Sequence, residues 1–153
     1  MSCRDDDGSA MVEFVGLSVL LLLPLVYLLL AVFSVQRAAF GVTQAAREAG
    51  RAYATAGSSS AGLVRARYAA RLALADQGLP AEPEVRFAPV GTRCGRTDPG
   101  DGAQSLRPGA RFVVCVRARA PLPLAAGGPL GGAAGVTVNG QFTGVDAYRG
   151  LHP

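Results

Sequence analysis

The chain has 153 residues, half of them hydrophobic, and carries a formal net charge of +4 at pH 7. That length leaves room for at most one modest domain beside a long apolar segment, which excludes a multidomain protein. All 15 basic residues are Arg, and they outnumber the acids by seven from residue 36 onward, whereas Asp5, Asp6 and Asp7 make the beginning of the chain acidic.

An uncharged apolar run occupies residues 14–35. As an α-helix, these 22 residues would span roughly 33 Å, about the thickness of the hydrocarbon core of a bilayer. Their leucine, valine and phenylalanine side chains favour membrane insertion by on the order of 5 to 9 kcal/mol in total, and Pro24 opposes it only slightly. The run predicts a transmembrane helix, bent at Pro24 because proline lacks the backbone N–H that the helix needs there.

A secretory signal peptide is the competing interpretation of the same run. Signal peptides have an apolar region of about 7 to 15 residues, followed by a small-residue cleavage site. The run here is longer, and residues 33–37, Phe-Ser-Val-Gln-Arg, match such a site poorly. A retained membrane helix is the better interpretation.

One acidic residue, Glu13, lies at the N-terminal end of this helix, directly before the apolar run. Glu13 lies five residues after Gly8, behind a short polar leader. The pattern resembles the type IV prepilin signal, and the resemblance implies that a prepilin peptidase cuts between Gly8 and Ser9 and leaves Glu13 as an assembly acid. Such a cut exposes an ammonium that Glu13, one turn along the helix, can pair with on its own or a neighbouring chain. Alternatively, Gly8 begins an ordinary helix and Glu13 is a tolerated interfacial acid near the positive helix end.

The cysteines point to an oxidising compartment for the C-terminal part. Cys94 and Cys115 lie there, and Cys3 lies in the leader. Two cysteines in a domain outside the membrane favour a disulfide, worth roughly 3 kcal/mol for a loop of this size, with two buried thiols as the alternative. Flanking charge slightly favours the opposite orientation, but long C-terminal domains translocate largely regardless of charge. We expect a cytoplasmic N-terminus and an extracytoplasmic C-terminal domain.

Alanine-rich sequence continues the first helix to about residue 56. Its small side chains suit either close packing with another helix or, as the preferred interpretation, a thin core face. Residues 57–60 break it, and Ser60 is expected to cap a second helix over residues 61–77. The inward face of that helix is predicted from its larger apolar side chains, Leu63, Val64, Tyr68, Leu72 and Ala75.

Three strands are predicted after the second helix, over residues 84–87, 111–119 and 136–142. In the middle strand, Phe112, Val114, Val116 and Ala118 share one face. Loops over residues 92–108 and 122–135 separate the strands, and a polar tail follows. The expected architecture is an α+β, pilin-like fold, with a leader (1–8), a transmembrane helix (9–35), a helical stalk with a second helix (36–80) and a small antiparallel head (81–153).

The order of these elements resembles a known family. Besides residues 8–14, the chain has Pro-Leu-Pro-Leu at residues 121–124, a Gly-rich bridge, Val-Thr-Val at 136–138 and Asp-Ala-Tyr-Arg at 146–149. The order is similar to that of TadE-like pilus assembly proteins of actinobacteria, minor pseudopilins of tight-adherence (Flp-type) pilus and secretion systems. The acids before Gly8 depart from the basic residues usual in such leaders. The resemblance implies a single-pass protein that joins other pilins through its first helix, with an assembly ATPase and platform proteins acting indirectly.

No catalytic or cofactor pattern accompanies these features. The single His, His152, is one residue from the end, which leaves no Ser-His-Asp, Cys-His or zinc arrangement. The Gly-rich residues 127–132 lack the lysine of a phosphate-binding loop, and Asp98 and Asp101 match a calcium loop only faintly. We expect a structural protein without enzyme activity, metal or cofactor.

Two other functions stay open at this point. The basic C-terminal part could bind a polyanion such as DNA or a cell-wall polymer, although its arginines are spread without interleaved exposed aromatic residues, which favours a solvated face and makes nucleic acid a weak candidate. A secreted enzyme released by signal peptidase would begin after about Val35.

Overall fold

The computed structural model describes residues 6–79, 82–95, 104–107, 109–122 and 135–145, with backbone alone for residues 6–9. Within these residues the chain forms two helices and three strands. They are α1 (Asp6–Ala54), α2 (Ser59–Asp76), β1 (Glu84–Ala88), β2 (Arg111–Pro121) and β3 (Gly135–Val145). The predicted α+β class is confirmed for the described residues. The bridge at 123–134 and the tail at 146–153 lie outside them.

The first helix is continuous and has two distinct halves. It begins at Asp6, three residues before the expected start at Ser9, and continues through Pro24 to Ala54. The side chains of residues 10–30, in its N-terminal half, are exposed, whereas Ala38, Val42 and others in its C-terminal half are fully buried. Ala38, Ala45, Ala46 and Ala49 of the small-residue face are therefore core residues, as preferred above, whereas Ala39 is exposed.

The second helix packs on the first through its smallest residues. Its buried positions are Gly62, Ala66, Ala70, Ala73 and Leu74. The predicted inward face was wrong at Val64, Tyr68, Leu72 and Ala75, which are exposed. Only Leu63 of the predicted set is half-buried against the core. The reason is steric: a Cβ on Gly62 would lie 2.8 Å from the Tyr53 ring, so the two helices approach too closely for large side chains. The helix also begins earlier than predicted, because Ser58 and not Ser60 is the cap, its Oγ accepting a hydrogen bond from the Ala61 N–H at 3.3 Å.

The strands form an antiparallel sheet in the order β1-β2-β3. The predicted face of β2 is buried, with Phe112, Val114, Val116 and Ala118 all in the core. Aromatic side chains fill this core near the C-terminal end of α1. The centroid of the Tyr53 ring lies 4.3 Å from that of Phe87 and 5.2 Å from that of Phe112. These rings join α1 to both β1 and β2.

The sheet lies along α1, with the strands following the helix axis. Tyr53 contacts Phe112 near the start of β2, and Ser34 donates a hydrogen bond of 3.1 Å to the carbonyl of Pro121 at its end. Between them, Gly140 of β3, which pairs with Val116 of β2, touches the α1 backbone at Val42. The chain direction of β2 is therefore opposite to that of α1, and β3 runs in the same direction as α1. The sheet and α2, together called the head from here on, cover one side of the C-terminal half of α1, whereas Phe40 on that half is 74% exposed.

Candidate functional site

The N-terminal half of α1 is the largest apolar surface of the described chain. Leu20 is 72% exposed, Leu23 66% and Phe33 65%. Long apolar side chains left in water in this number oppose folding, so the surface needs an apolar surrounding. In the part of the chain that the structure describes, α1 is the one helix long and apolar enough to cross a membrane, which it can do as an anchor or as a signal sequence.

Glu13 projects from this apolar surface near its start. Its side chain is exposed, and it makes no ion pair or hydrogen bond with any residue that the structure describes. Gly8 and Ser9 are helical in backbone and lie in the first turn of α1. A peptidase that needs an extended strand would have to open this turn, which helix ends do readily. Cleavage between Gly8 and Ser9, the role of Glu13 and a bend at Pro24 stay predictions.

A disulfide fastens the loop after β1 to the outer face of the sheet. It joins Cys94 to Cys115, with the two Cα atoms 5.5 Å apart. The loop is also held by Gln141 of β3, which accepts a hydrogen bond from the Cys94 N–H and donates one to the carbonyl of Thr92, each at 3.4 Å. The structure thus has the disulfide rather than the two separate thiols.

An arginine holds the same outer face together by charge. Arg117 of β2 donates hydrogen bonds to Asn139 at 3.1 Å, to Glu84 at 3.3 Å and to the carbonyl of Gly95. Glu84 also accepts from Arg86. One side chain therefore bonds to β1, β3 and the disulfide loop, which fixes their positions around β2.

The outer face of α2 combines basic and apolar side chains. Val64, Tyr68 and Leu72 follow one another at intervals of four residues, and Arg67 and Arg71 lie beside them. The Arg71 guanidinium is 5.5 Å from the centre of the Tyr68 ring, and it also pairs with Glu82 at 3.5 Å. The expectation that no exposed aromatic residue lies among the arginines was wrong at this face, because the closely packed helices leave Tyr68 no room in the core.

Tyr53 is an ionisable residue in the core of the head. Tyr53 is fully buried, and its hydroxyl donates a 2.6 Å hydrogen bond to the carbonyl of Gln104. Burial raises the pKa of Tyr53 above its usual value of 10.0, and the backbone of Gln104 offsets part of that rise. This tyrosine is a structural group, since its ring fills the core between α1 and the sheet.

Sequence reasoning predicted the long apolar helix and the cysteine pair, which the structure shows, whereas the role of Glu13 stays a prediction. It missed the junction between the apolar half of α1 and the head. Ser34 looks like a weak interruption of the apolar run, but it marks the point at which β2 meets α1. A small polar residue at the end of an apolar run, followed by Arg37, is the signal that could have indicated this. Comparison of the chain with protein-family models, with curated proteins and with solved structures finds no match.

Proposed function

We propose that this protein is a non-enzymatic, membrane-anchored minor pilin or pseudopilin that takes part in assembly of a tight-adherence (Flp-type) pilus or related secretion apparatus. One observation carries the proposal: α1 leaves the head as a helix whose N-terminal half is apolar and exposed, with Glu13 near its beginning. In this proposal the N-terminus is cytoplasmic, residues 14–35 cross the membrane and the head lies outside.

The shape of α1 supports assembly as well as anchoring. Its C-terminal half already has a partner, because α2 and the sheet cover much of it, whereas the side chains of residues 10–30 are exposed. The N-terminal half is free to leave lipid and to pack beside the same half of another pilin. A carboxylate on it would be costly unless it found a positive group, and the terminal amine of a neighbouring chain is the partner we assign to Glu13.

The test replaces Glu13 and measures pilus output. Glu13→Val removes the charge and should leave membrane insertion intact while it strongly reduces assembled pili, counted by electron microscopy or in a sheared-filament fraction. Glu13→Asp keeps the carboxylate and is the matched control, which should retain most of the output. Wild-type output from Glu13→Val would overturn the role of the acid.

Processing is tested separately by mass spectrometry of the protein from its native host. Cleavage after Gly8 gives a mature chain that begins at Ser9, and Gly8→Val should block it because a branched side chain hinders close approach to the peptidase. An intact leader in the presence of the peptidase would defeat the cleavage. A mature chain that begins after about Val35, free of the membrane, would instead show that the run is a signal peptide.

A second candidate function is polyanion binding by the head, and the outer face of α2 favours it. Arg67 and Arg71 stand beside an exposed Tyr68, a combination suited to phosphate and ring contacts. Retention of the full chain, in detergent micelles, on immobilised DNA or heparin would fall with rising salt, and Arg67→Gln with Arg71→Gln would weaken it. Arg47→Gln with Arg51→Gln, on α1, is the control, and absence of retention at low salt would remove this function.

A further inference from the structure

A groove lies where the apolar half of α1 meets the head. Leu30, Phe33 and Arg37 form its α1 wall, and Leu79 and Leu122 contribute from the ends of the α2 and β2 segments. Its volume is about 570 Å³, within the range of about 300 to 1,000 Å³ that is usual for sites of small ligands. The groove is therefore large enough for part of an amphiphile.

The position of the groove along α1 sets what reaches it. Leu30 and Phe33 belong to the apolar residues 14–35, and Arg37 is the first charged residue after them. These three residues follow one another at helical spacing on one face, over a rise of roughly 10 Å. If residues 14–35 cross the membrane, as the proposed function requires, the groove lies at the boundary between acyl chains and headgroups of the leaflet next to the head.

The chemistry of the groove changes along the same direction. At the membrane side its surface is apolar, and Phe33 and Leu30 are 65% and 53% exposed. At the head side stands Arg37, which is exposed and forms no ion pair or hydrogen bond with the residues that the structure describes. No carboxylate is among the described residues that line the groove, so none of them neutralises the charge of Arg37. An apolar wall below a single guanidinium fits a ligand with a hydrocarbon part and an anionic head.

We propose that this groove binds one phospholipid of the adjoining leaflet. The lipid phosphate bonds to Arg37, whose planar guanidinium can donate two parallel hydrogen bonds to it, and an acyl chain lies on Leu30 and Phe33 against Leu79. A membrane lipid is favoured over a free anion because the groove continues the lipid-facing surface of α1. It is favoured over another helix because Arg37 would then be buried beside apolar side chains without a counter-charge.

The experiment uses the full chain reconstituted in nanodiscs that contain phosphatidylglycerol, then released into mild detergent and weighed by native mass spectrometry. The wild-type chain should keep one phospholipid. Arg37→Gln should lower the retained fraction about tenfold or more, as loss of a charged hydrogen bond predicts. Arg47→Gln is the matched control, since Arg47 is exposed on the same helix but outside the groove. Equal thermal unfolding of the variants shows that the head is intact.

A photoactivatable diazirine in the lipid acyl chain locates the binding. Cross-links to the peptide that contains Leu30 and Phe33, lost in Arg37→Gln, would support the proposal. A chain that inserts but keeps no phospholipid, equal retention by Arg37→Gln, displacement of the lipid by inorganic phosphate, or a cross-link at this groove to a second copy of the chain would each overturn it. Failure of the chain to enter nanodiscs would instead overturn the membrane anchor, and the lipid site with it.

Discussion

The contact between Gly140 and α1 gives the sharpest prediction. A Cβ at this position would lie 2.3 Å from the carbonyl oxygen of Val42 and 2.8 Å from the backbone nitrogen of Thr43. Both are backbone atoms of a buried helix, so no side chain can move aside, and Gly140→Ala must force β3 and α1 apart. Overpacking usually destabilises by about 1 to 3 kcal/mol, and a clash with rigid backbone belongs at or above the upper end of that range.

A loss of about 3 kcal/mol corresponds to a fall in Tm of roughly 12 to 24 °C for a domain of about 100 residues. We expect this fall in the full chain in detergent micelles, followed by circular dichroism of the head. Gly57→Ala is the control, because a Cβ there would meet no atom within 4 Å. An unchanged Tm for Gly140→Ala would refute the close approach of β3 to α1.

A second glycine separates backbone clashes from side-chain clashes. A Cβ on Gly50 would lie 2.7 Å from the ring of Phe142, which is a side chain and can be shortened. Gly50→Ala should therefore destabilise the head, and adding Phe142→Ala should make the glycine replacement nearly neutral relative to Phe142→Ala alone. No truncation of Val42 should relieve Gly140→Ala in the same way. Relief of Gly140→Ala by Val42→Ala would contradict a clash with backbone.

Three further predictions concern the head. Replacing Cys94 and Cys115 with Ser should lower the free energy of unfolding by about 3 kcal/mol, measured by denaturation, and reductant should have the same effect on the wild-type chain and none on the double variant. The pKa of Tyr53 is raised in the folded state, so its contribution to the free energy of unfolding is complete below pH 10, the unfolded value, and is lost as pH rises above it. The stability of the wild-type chain should therefore fall more steeply above pH 10 than that of Tyr53→Phe. Parallel pH curves for the two would contradict burial of the hydroxyl. Ser58→Ala should destabilise by about 1 kcal/mol by removing the cap of α2, whereas Ser60→Ala should have a much smaller effect, and equal losses would contradict the assignment of the cap.

The sequence alone predicts the elements that depend on local patterns of residues. In β2, alternation from Phe112 to Ala118 predicted the buried face, since successive side chains of a strand point to opposite sides. The long first helix was predictable because no strong breaker other than Pro24 interrupts it, and α1 does continue through that residue. These features depend on the period of the hydrophobic residues and on helix or strand propensity, both of which are set by residues close together in the sequence.

The sequence was misleading where packing between elements decides. A stripe of Val64, Tyr68 and Leu72 looks like a core face, but periodicity does not say which face meets a partner. Here the partner is α1, whose Tyr53 ring leaves no room for a Cβ at Gly62, so α2 approaches it with small residues. Likewise, the need for a glycine at residue 140 becomes apparent only once β3 is placed against Val42 of α1. For Glu13, the expected partner is on another chain, so one sequence contains half of the pair.

The alignment of the strands with α1 has a mechanical consequence. Hydrogen bonds between antiparallel strands are perpendicular to those strands. A displacement of β2 relative to β3 along the axis of α1 therefore loads the bonds between them in shear, all of them together, and does not peel them one at a time. A pull along the same axis meets the ring contacts of Tyr53 and the bond from Ser34 to Pro121 at the two ends of the sheet. If the apolar half of α1 anchors the protein in a membrane, as proposed, a head built in this way resists force along the axis of that anchor.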